Sequence, residues 1–271
     1  MTSVQLSHGK TEYELHGPEA GPLVVLLHGG SIPMWTWDRQ VPVLILAGFR
    51  VLRYDMYGKG KSACPPLGYD RGLFRCQLLD LLTALGLAEP VHLVGFSFGG
   101  ATAANFTANH PERVRTLALI SPVFHFADGN AMVRIARLPA VGNMFLHFIL
   151  MKKALDRASR LWAGADKAEH YAKLFRDQMS QPGFERGLLS FFRSDALDNY
   201  ATVYEKIGRE GRKTLLVWGS DDEDIPSSHI ALIRSLMPLA EYQELPGIGH
   251  GAVFQASSRI NDLLLEHLGP A

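Results

Sequence analysis

The run Val91-His92-Leu93-Val94-Gly95 passes without a linker into Phe96-Ser97-Phe98-Gly99, and then into a helical pattern that ends near His110-Pro111. A strand that becomes a helix over so few residues belongs to a sheet covered by helices, with the turn at the sheet's carboxyl edge. A serine forced into that turn has its hydroxyl pushed outward. The turn also brings the residues two before and two after the serine close together, which favours glycine at 95 and 99. The following helix aims its unpaired N–H groups and the positive end of its dipole at the same point. The Phe98 N–H can therefore donate to an oxyanion formed when Ser97 attacks a carbonyl. Five-residue G-x-S-x-G patterns occur by chance; the strand before and the helix after make Ser97 a candidate nucleophile.

The rest of the chain repeats this alternation. Leu23-Val24-Val25-Leu26-Leu27 ends at His28-Gly29-Gly30, and Arg50-Val51-Leu52-Arg53-Tyr54-Asp55 is stopped by Gly58 and Gly60. Thr116-Leu117-Ala118-Leu119-Ile120 is a further run. Runs apolar at successive positions suit strands covered on both faces. A helix is expected over about 70–85, helical periodicity dominates 123–208, and a closing helix is expected over 260–268. Strand character returns at Thr214-Leu215-Leu216-Val217-Trp218 and more weakly over 240–245. The expected fold class is α/β, a mostly parallel central sheet with helices on both faces. Residues 1–122 and 209–271 form the core and residues 123–208 a helical cap insertion, which suits the length of 271 residues.

A serine nucleophile needs a base to take its proton, and the base needs an orienting acid. Candidates follow in the order Ser, Asp, His. Gly219-Ser220-Asp221-Asp222-Glu223-Asp224-Ile225-Pro226 is an acid-rich loop after a strand, and Pro246-Gly247-Ile248-Gly249-His250-Gly251 sets a histidine among small neighbours. Of the eleven histidines, His250 has the context the chemistry needs. His92 lies in a strand facing a covering layer, His110 sits at a helix end on the surface, and His28 stabilises its own turn by side-chain hydrogen bonds.

Four segments together carry a resemblance to the α/β-hydrolase family over essentially the whole chain. They are His28-Gly29-Gly30, Asp55-Met56-Tyr57-Gly58-Lys59-Gly60-Lys61-Ser62, Gly95-Phe96-Ser97-Phe98-Gly99-Gly100 and Gly249-His250. His110-Pro111-Glu112-Arg113-Val114 is similar to the family's link between nucleophile helix and next strand. The resemblance implies Ser97 as nucleophile, His250 as base and Asp222 as acid, with Asp221 and Asp224 as rivals in the same loop. It implies an oxyanion hole from the N–H groups of Phe98 and Gly30, with Ser31 as the alternative to Gly30. It also implies that the inner face of the cap shapes the substrate pocket. The segment 55–62 lacks the frame of a phosphate-cradling loop and reads as a turn beside the site.

Serine at the nucleophile turn argues against relatives that use aspartate there, the haloalkane dehalogenases and epoxide hydrolases. Carbon–carbon hydrolases of ring-cleavage products keep the serine, but often carry a longer glycine-rich oxyanion loop and a tryptophan directly after the catalytic histidine; here Gly251 stands in that place. The expected activity is hydrolysis of carboxylic esters, carboxylesterase- or monoacylglycerol-lipase-like, with carbon–carbon hydrolysis as the competitor and a non-catalytic binding protein as the alternative of another class. The apolar residues Phe145, Leu146, Phe148, Ile149, Leu150 and Met151, followed by Lys152 and Lys153, either line the pocket mouth or pack a cap helix on the core.

No metal or organic cofactor is expected. The partner is a small-molecule ester with an apolar acyl or alcohol part. Lysine plus arginine and aspartate plus glutamate balance at 27 each, which gives no reason to expect nucleic acid. Two cysteines, Cys64 and Cys76, make no disulfide framework. The polar N-terminus reads as no secretory signal. The apolar stretch 138–151 is shorter than the roughly 20 residues that span a bilayer, so no stable membrane insertion is expected and the protein is expected to be cytoplasmic.

Overall fold

The computed structural model describes residues 2–163 and 167–271. Each apolar run forms a strand, and the described residues contain eight in one sheet. They are β1 (Thr2–Leu6), β2 (Gly9–His16), β3 (Leu23–Leu27), β4 (Arg50–Tyr54), β5 (Val91–Phe96), β6 (Val114–Ile120), β7 (Thr214–Gly219) and β8 (Glu241–Leu245). Their order across the sheet is β1-β2-β4-β3-β5-β6-β7-β8. All pairs from β4 to β8 are parallel, while β1 and β2 add an antiparallel edge.

The helices are α1 (Val41–Leu46), α2 (Arg71–Ala84), α3 (Phe98–Asn109), α4 (Ala131–Ala136), α5 (Val141–Phe145), α6 (Met151–Ser159), α7 (Ala168–Met179), α8 (Phe184–Arg193), α9 (Ala201–Glu210), α10 (Ser227–Leu236), α11 (Ala252–Gln255) and α12 (Ser257–Leu268). A π-helical turn, Leu146–Leu150, joins α5 to α6. The expected helix at 70–85 starts at Asp70, whose carboxylate accepts the Leu73 N–H at 2.7 Å.

The two-sided burial follows from the strand period of two. Val25, Leu27, Leu93, Leu117, Leu119 and Leu216 belong to one core cluster, which also takes the apolar faces of α2, α3, α9 and α10. Their alternating neighbours Val24, Leu26, Val94, Ala118, Ile120 and Leu215 face the other cluster, completed by α1 and α12. His92 lies on the second side, as its strand position implied. Its Nδ1 lies 2.8 Å from Thr116 Oγ1 and its ring meets Phe49 edge-on. Burial pushes its pKa down to about 4.

Two features go beyond the sequence reading. The N-terminal residues, polar in composition, form β1 and β2; edge strands are half exposed and alternate weakly, so their apolar signal is thin. The second concerns the helical stretch 123–208. Helices α4 to α8 lie over the carboxyl edge of the sheet, but α9 packs against α3 and α10 in the layer that covers it. Tyr204 of α9 is fully buried and donates its hydroxyl to Val123 O at 2.7 Å. We therefore propose to end the cap before α9. Among the described residues no helix is long and apolar enough to cross a membrane.

Strand β3 is followed in sequence by β4 on one side of it in the sheet, and later by β5 on the other. Such a reversal opens a crevice outside the carboxyl ends of the two strands, where ligands bind in open α/β sheets. The loop after β3 and the turn after β5 meet there at close range. A Cβ on Gly99 would lie 2.2 Å from Leu27 O and 2.3 Å from His28 O. A Cβ on Gly95 would lie 2.3 Å from Gly99 O and 2.6 Å from Gly100 Cα. Both obstacles are backbone, which cannot yield cheaply.

Gly99→Ala is accordingly expected to destabilise the fold by about 3 kcal/mol, the upper range for overpacking. Gly68→Ala, at a site with nothing within 4 Å of the added methyl, should stay within about 0.5 kcal/mol of the parent. Urea unfolding of both variants checks this; equal midpoints would contradict the close-approach account.

Candidate active site

The turn between β5 and α3 holds Ser97 at φ 55°, ψ −120°, a backbone region that side chains bearing a Cβ rarely occupy. The surroundings enforce it. The Ser97 N–H donates to Ile120 O at 2.9 Å, while Ser97 O accepts from Gly100 N–H at 3.0 Å and Val123 N–H at 3.2 Å. The hydroxyl is thereby fixed at the carboxyl end of β5.

His250, in the loop after β8, reaches the same point. Its Nε2 lies 2.9 Å from Ser97 Oγ, and its Nδ1 lies 2.8 Å from Asp222 Oδ2. The other oxygen of Asp222 accepts the N–H groups of Asp224 and Ile225 at 2.9 and 2.8 Å, so the carboxylate is aimed by its own loop. Its side chain is fully buried. Asp221 is exposed and accepts from Ser220 Oγ, and Asp224 pairs with Arg157 of α6 at 2.6 Å. Of the three aspartates in the loop, Asp222 is the one hydrogen-bonded to His250.

Burial disfavours the imidazolium of His250, but the hydrogen bond and charge of Asp222, with the charge of Asp224, outweigh it. The net effect holds the ring's pKa above its ordinary value of 6.5. The glycines beside the histidine serve close approach as well as freedom of the ring. A Cβ on Gly251 would lie 2.0 Å from Leu161 O of the cap.

His28 is completely buried between two backbone partners. Its Nδ1–H donates to Gly29 O at 2.7 Å, and its Nε2 accepts the Met56 N–H at 2.9 Å. Burial drives its pKa down to about 3, with Lys59 adding to the shift, so the ring is neutral and structural. It shapes the loop that brings Gly29, Gly30 and Ser31 into the cavity with Ser97 and Phe98. A Cβ on Gly29 would lie 3.5 Å from Ser97 Cβ, and one on Gly30 3.5 Å from Phe98 Cβ. Among the described residues the N–H groups of Gly30 and Phe98 have no hydrogen-bond acceptor, which leaves both free to donate to a bound group. The loop is tied to the cap through Gln178, which donates from Nε2 to Ser31 O at 2.9 Å and accepts the Gly60 N–H at 3.0 Å.

Above Ser97 lies a chamber of about 150 Å³, walled by Ile32 and by cap residues such as Phe126, Leu150, Phe175, Phe184 and Phe191. Besides His250, its charged lining residues are Arg157 and Asp224, paired with one another. A larger outer cavity of about 870 Å³ reaches His250 from the cap's rim and is lined by both signs of charge. The apolar stretch singled out in the sequence divides between these places. Leu150 lines the inner chamber, Phe145 and Ile149 line the outer cavity, Leu146 is buried, and Phe148 is 56 % exposed. Sequence reasoning missed the aromatic wall from α7 and α8; its one signal was Phe184 and Phe191, seven residues apart on one helical face.

Comparison with known proteins agrees with this fold. Residues 22–257 match the family model described as alpha/beta hydrolase fold. A 2-hydroxy-6-oxononadienedioate/2-hydroxy-6-oxononatrienedioate hydrolase of Comamonas testosteroni is 28 % identical, the alignment covering 96 % of this chain and 93 % of that one. The crystal structure of a bromoperoxidase from Bacillus anthracis superposes with a TM-score of 0.82 at 24 % identity, covering 98 % of this chain and 99 % of the other. The enol-lactonase of Burkholderia xenovorans LB400 does so with a TM-score of 0.82 at 21 % identity, over 98 % and 99 %. With the sheet order, the turn at Ser97 and a family match over most of its length, the chain belongs to the α/β-hydrolase fold family.

Proposed function

We propose that this hydrolase cleaves neutral carboxylic esters with an apolar acyl group, through an acyl-enzyme on Ser97. The observation that carries the reading is the apolar chamber over Ser97, whose two charged walls, Arg157 and Asp224, neutralise each other at 2.6 Å. In the reaction, His250 Nε2 takes the Ser97 proton as Oγ attacks the ester carbonyl. The N–H groups of Phe98 and Gly30, next to Ser31, hold the oxyanion. The imidazolium then protonates the leaving alkoxide, and a water activated by His250 releases the acid. Asp222 accepts the Nδ1–H of the imidazole, fixing the ring with its proton on Nδ1 and stabilising the imidazolium.

The name of the Comamonas relative favours a second reading, hydrolysis of a carbon–carbon bond in a ring-cleavage product. Such a dioate carries carboxylates, which need cations that are not already paired. None lines the chamber among the described residues. The place after His250 also has no room for a large side chain, because Leu161 O stands 2.0 Å from where a Gly251 Cβ would be. Both points support the ester. A catalytically inert binding protein is the reading of another class; the intact Ser97–His250–Asp222 hydrogen-bond chain speaks against it.

Steady-state rates on p-nitrophenyl esters from acetate to octanoate, beside a 2-hydroxy-6-oxo-dienoate, test the assignment. Ester turnover with an optimum at butyrate or longer is expected. A sharp optimum at acetate would sink the apolar-acyl preference, and turnover of the dienoate alone would transfer the protein to the carbon–carbon class. Ser97→Ala should lose at least about a thousandfold in kcat and all labelling by a fluorophosphonate; an unlabelled native Ser97 would favour the binding protein.

The pH profile gives an independent check. Only the neutral imidazole can accept the Ser97 proton, so kcat/KM should fall as pH drops through the raised pKa of His250. The midpoint of that limb should lie above 6.5, the ordinary value. Asp222→Asn removes the hydrogen bond and charge that raise it. That variant should move the limb to lower pH and cost about 10⁴ in kcat.

A further inference from the structure

Lys59, in the turn beside the site, is only 3 % exposed, and its ammonium has no hydrogen-bond partner among the described residues. A buried ammonium without an acceptor is costly, and an apolar side chain of the same length would fill the space without that cost. What the ammonium does have is two aromatic faces from the cap helix α8. Its Nζ lies 5.2 Å from the centre of the Phe191 ring and 5.8 Å from that of Phe184, within cation–π range. Phe191 in turn meets Phe98 edge-on at 4.7 Å, and its ring edge stands 3.4 Å from where a Cβ on Gly30 would be. The ring clamped by the ammonium is thus the ring that packs on both proposed oxyanion donors. The charge also reaches the oxyanion loop, since it contributes to keeping His28 neutral.

We infer that Lys59 is a positioning residue for the oxyanion hole, whose ammonium holds Phe191 against Phe98 and Gly30 and whose unscreened positive field favours the oxyanion over the neutral carbonyl. The inference rests on the acyl-transfer reading of Ser97. Negative charge develops only in the transition state, so a fixed, buried cation acts on kcat more than on KM. Lysine outperforms an apolar isostere because its charge is attracted to the ring faces and is long-ranged at low dielectric. Burial lowers the pKa of Lys59 to about 8, with the Cys64 thiol beside it acting weakly in the opposite sense. The titratable groups coupled to it are Cys64, shifted upward by burial, and His28, held neutral; Tyr69, also shifted upward by burial, and Arg186 lie against Cys64. Lys59 is then the member of this group that loses its charge near pH 8.

The experiment compares the native enzyme with Lys59→Met and Lys59→Arg on one ester, reading kcat, KM, thermal midpoint and the alkaline side of the kcat profile. The native enzyme should lose activity as pH rises through about 8. Lys59→Met should show kcat lowered about tenfold, one decade of barrier, with KM within about twofold, a thermal midpoint equal to or above the native one, and no such alkaline limb. Lys59→Arg should recover most of kcat and also lack the limb, because guanidinium keeps its charge. A native kcat and limb in Lys59→Met would overturn the inference. So would a fall in thermal midpoint or failure to fold in Lys59→Met, or Lys59→Arg behaving like Lys59→Met, since each makes the lysine a packing element. If no ester is turned over, the rate of Ser97 labelling by a fluorophosphonate replaces kcat. Labelling at equal rates in all three proteins sinks only the role of Lys59, whereas no labelling of native Ser97 sinks the acyl-transfer reading beneath it.

Discussion

Everything at the site depends on the close contact between the start of α3 and the end of β3. The Gly99 backbone sits so near Leu27 O and His28 O that a single methyl group would not fit. That contact fixes the direction in which β5 turns, and the turn fixes Ser97 at a positive φ. The strain of this conformation is carried by the hydrogen bonds of the central sheet, chiefly Ser97 N–H to Ile120 O. The oxyanion loop shares the same contact, because the carbonyls pressed against Gly99 belong to residues immediately before Gly29 and Gly30. Proposed nucleophile and proposed oxyanion donors are therefore placed by one packing event.

The second half of the chain meets this frame from loops after β7 and β8. Asp222 and His250 need no strain, only aim. Two backbone N–H groups hold one carboxylate oxygen and leave the other for the imidazole. The cap completes the enclosure through polar ties at its rim, Gln178 to the oxyanion loop and Arg157 to Asp224, and through aromatic packing at its inner face. The inner chamber is lined mainly by apolar side chains and its two charged walls are paired with one another, so dipoles aimed into it are weakly screened.

Much of this was legible beforehand where a local rule sufficed. The six core strands declared themselves by apolar runs, the tight turn at Ser97 by its place between strand and helix, and His28 by its position in a turn. Edge strands β1 and β2 were not legible because one-sided burial leaves a polar sequence. Helix α9 read like the cap helices because amphipathic periodicity says that a face is buried, not against which layer. Lys59 lies in a segment that reads only as a turn beside the site, and nothing local announces that two phenylalanines more than a hundred residues away cover it.

The sequence by itself determined the α/β alternation, the strained turn at Ser97 and the pairing of that serine with His250, because these rest on backbone sterics and period, which act over a few residues. It favoured Asp222 over Asp221 and Asp224 only by position within one loop, and it left open which cap residues line the chamber. The tertiary structure brings Asp222, and neither rival, to His250 and sets the chamber's lining. Which carboxylate in a loop points inward depends on which N–H groups its neighbours present, and which helix faces close on a cavity depends on how distant layers stack. Those are long-range packing choices, and no local pattern of residues encodes them.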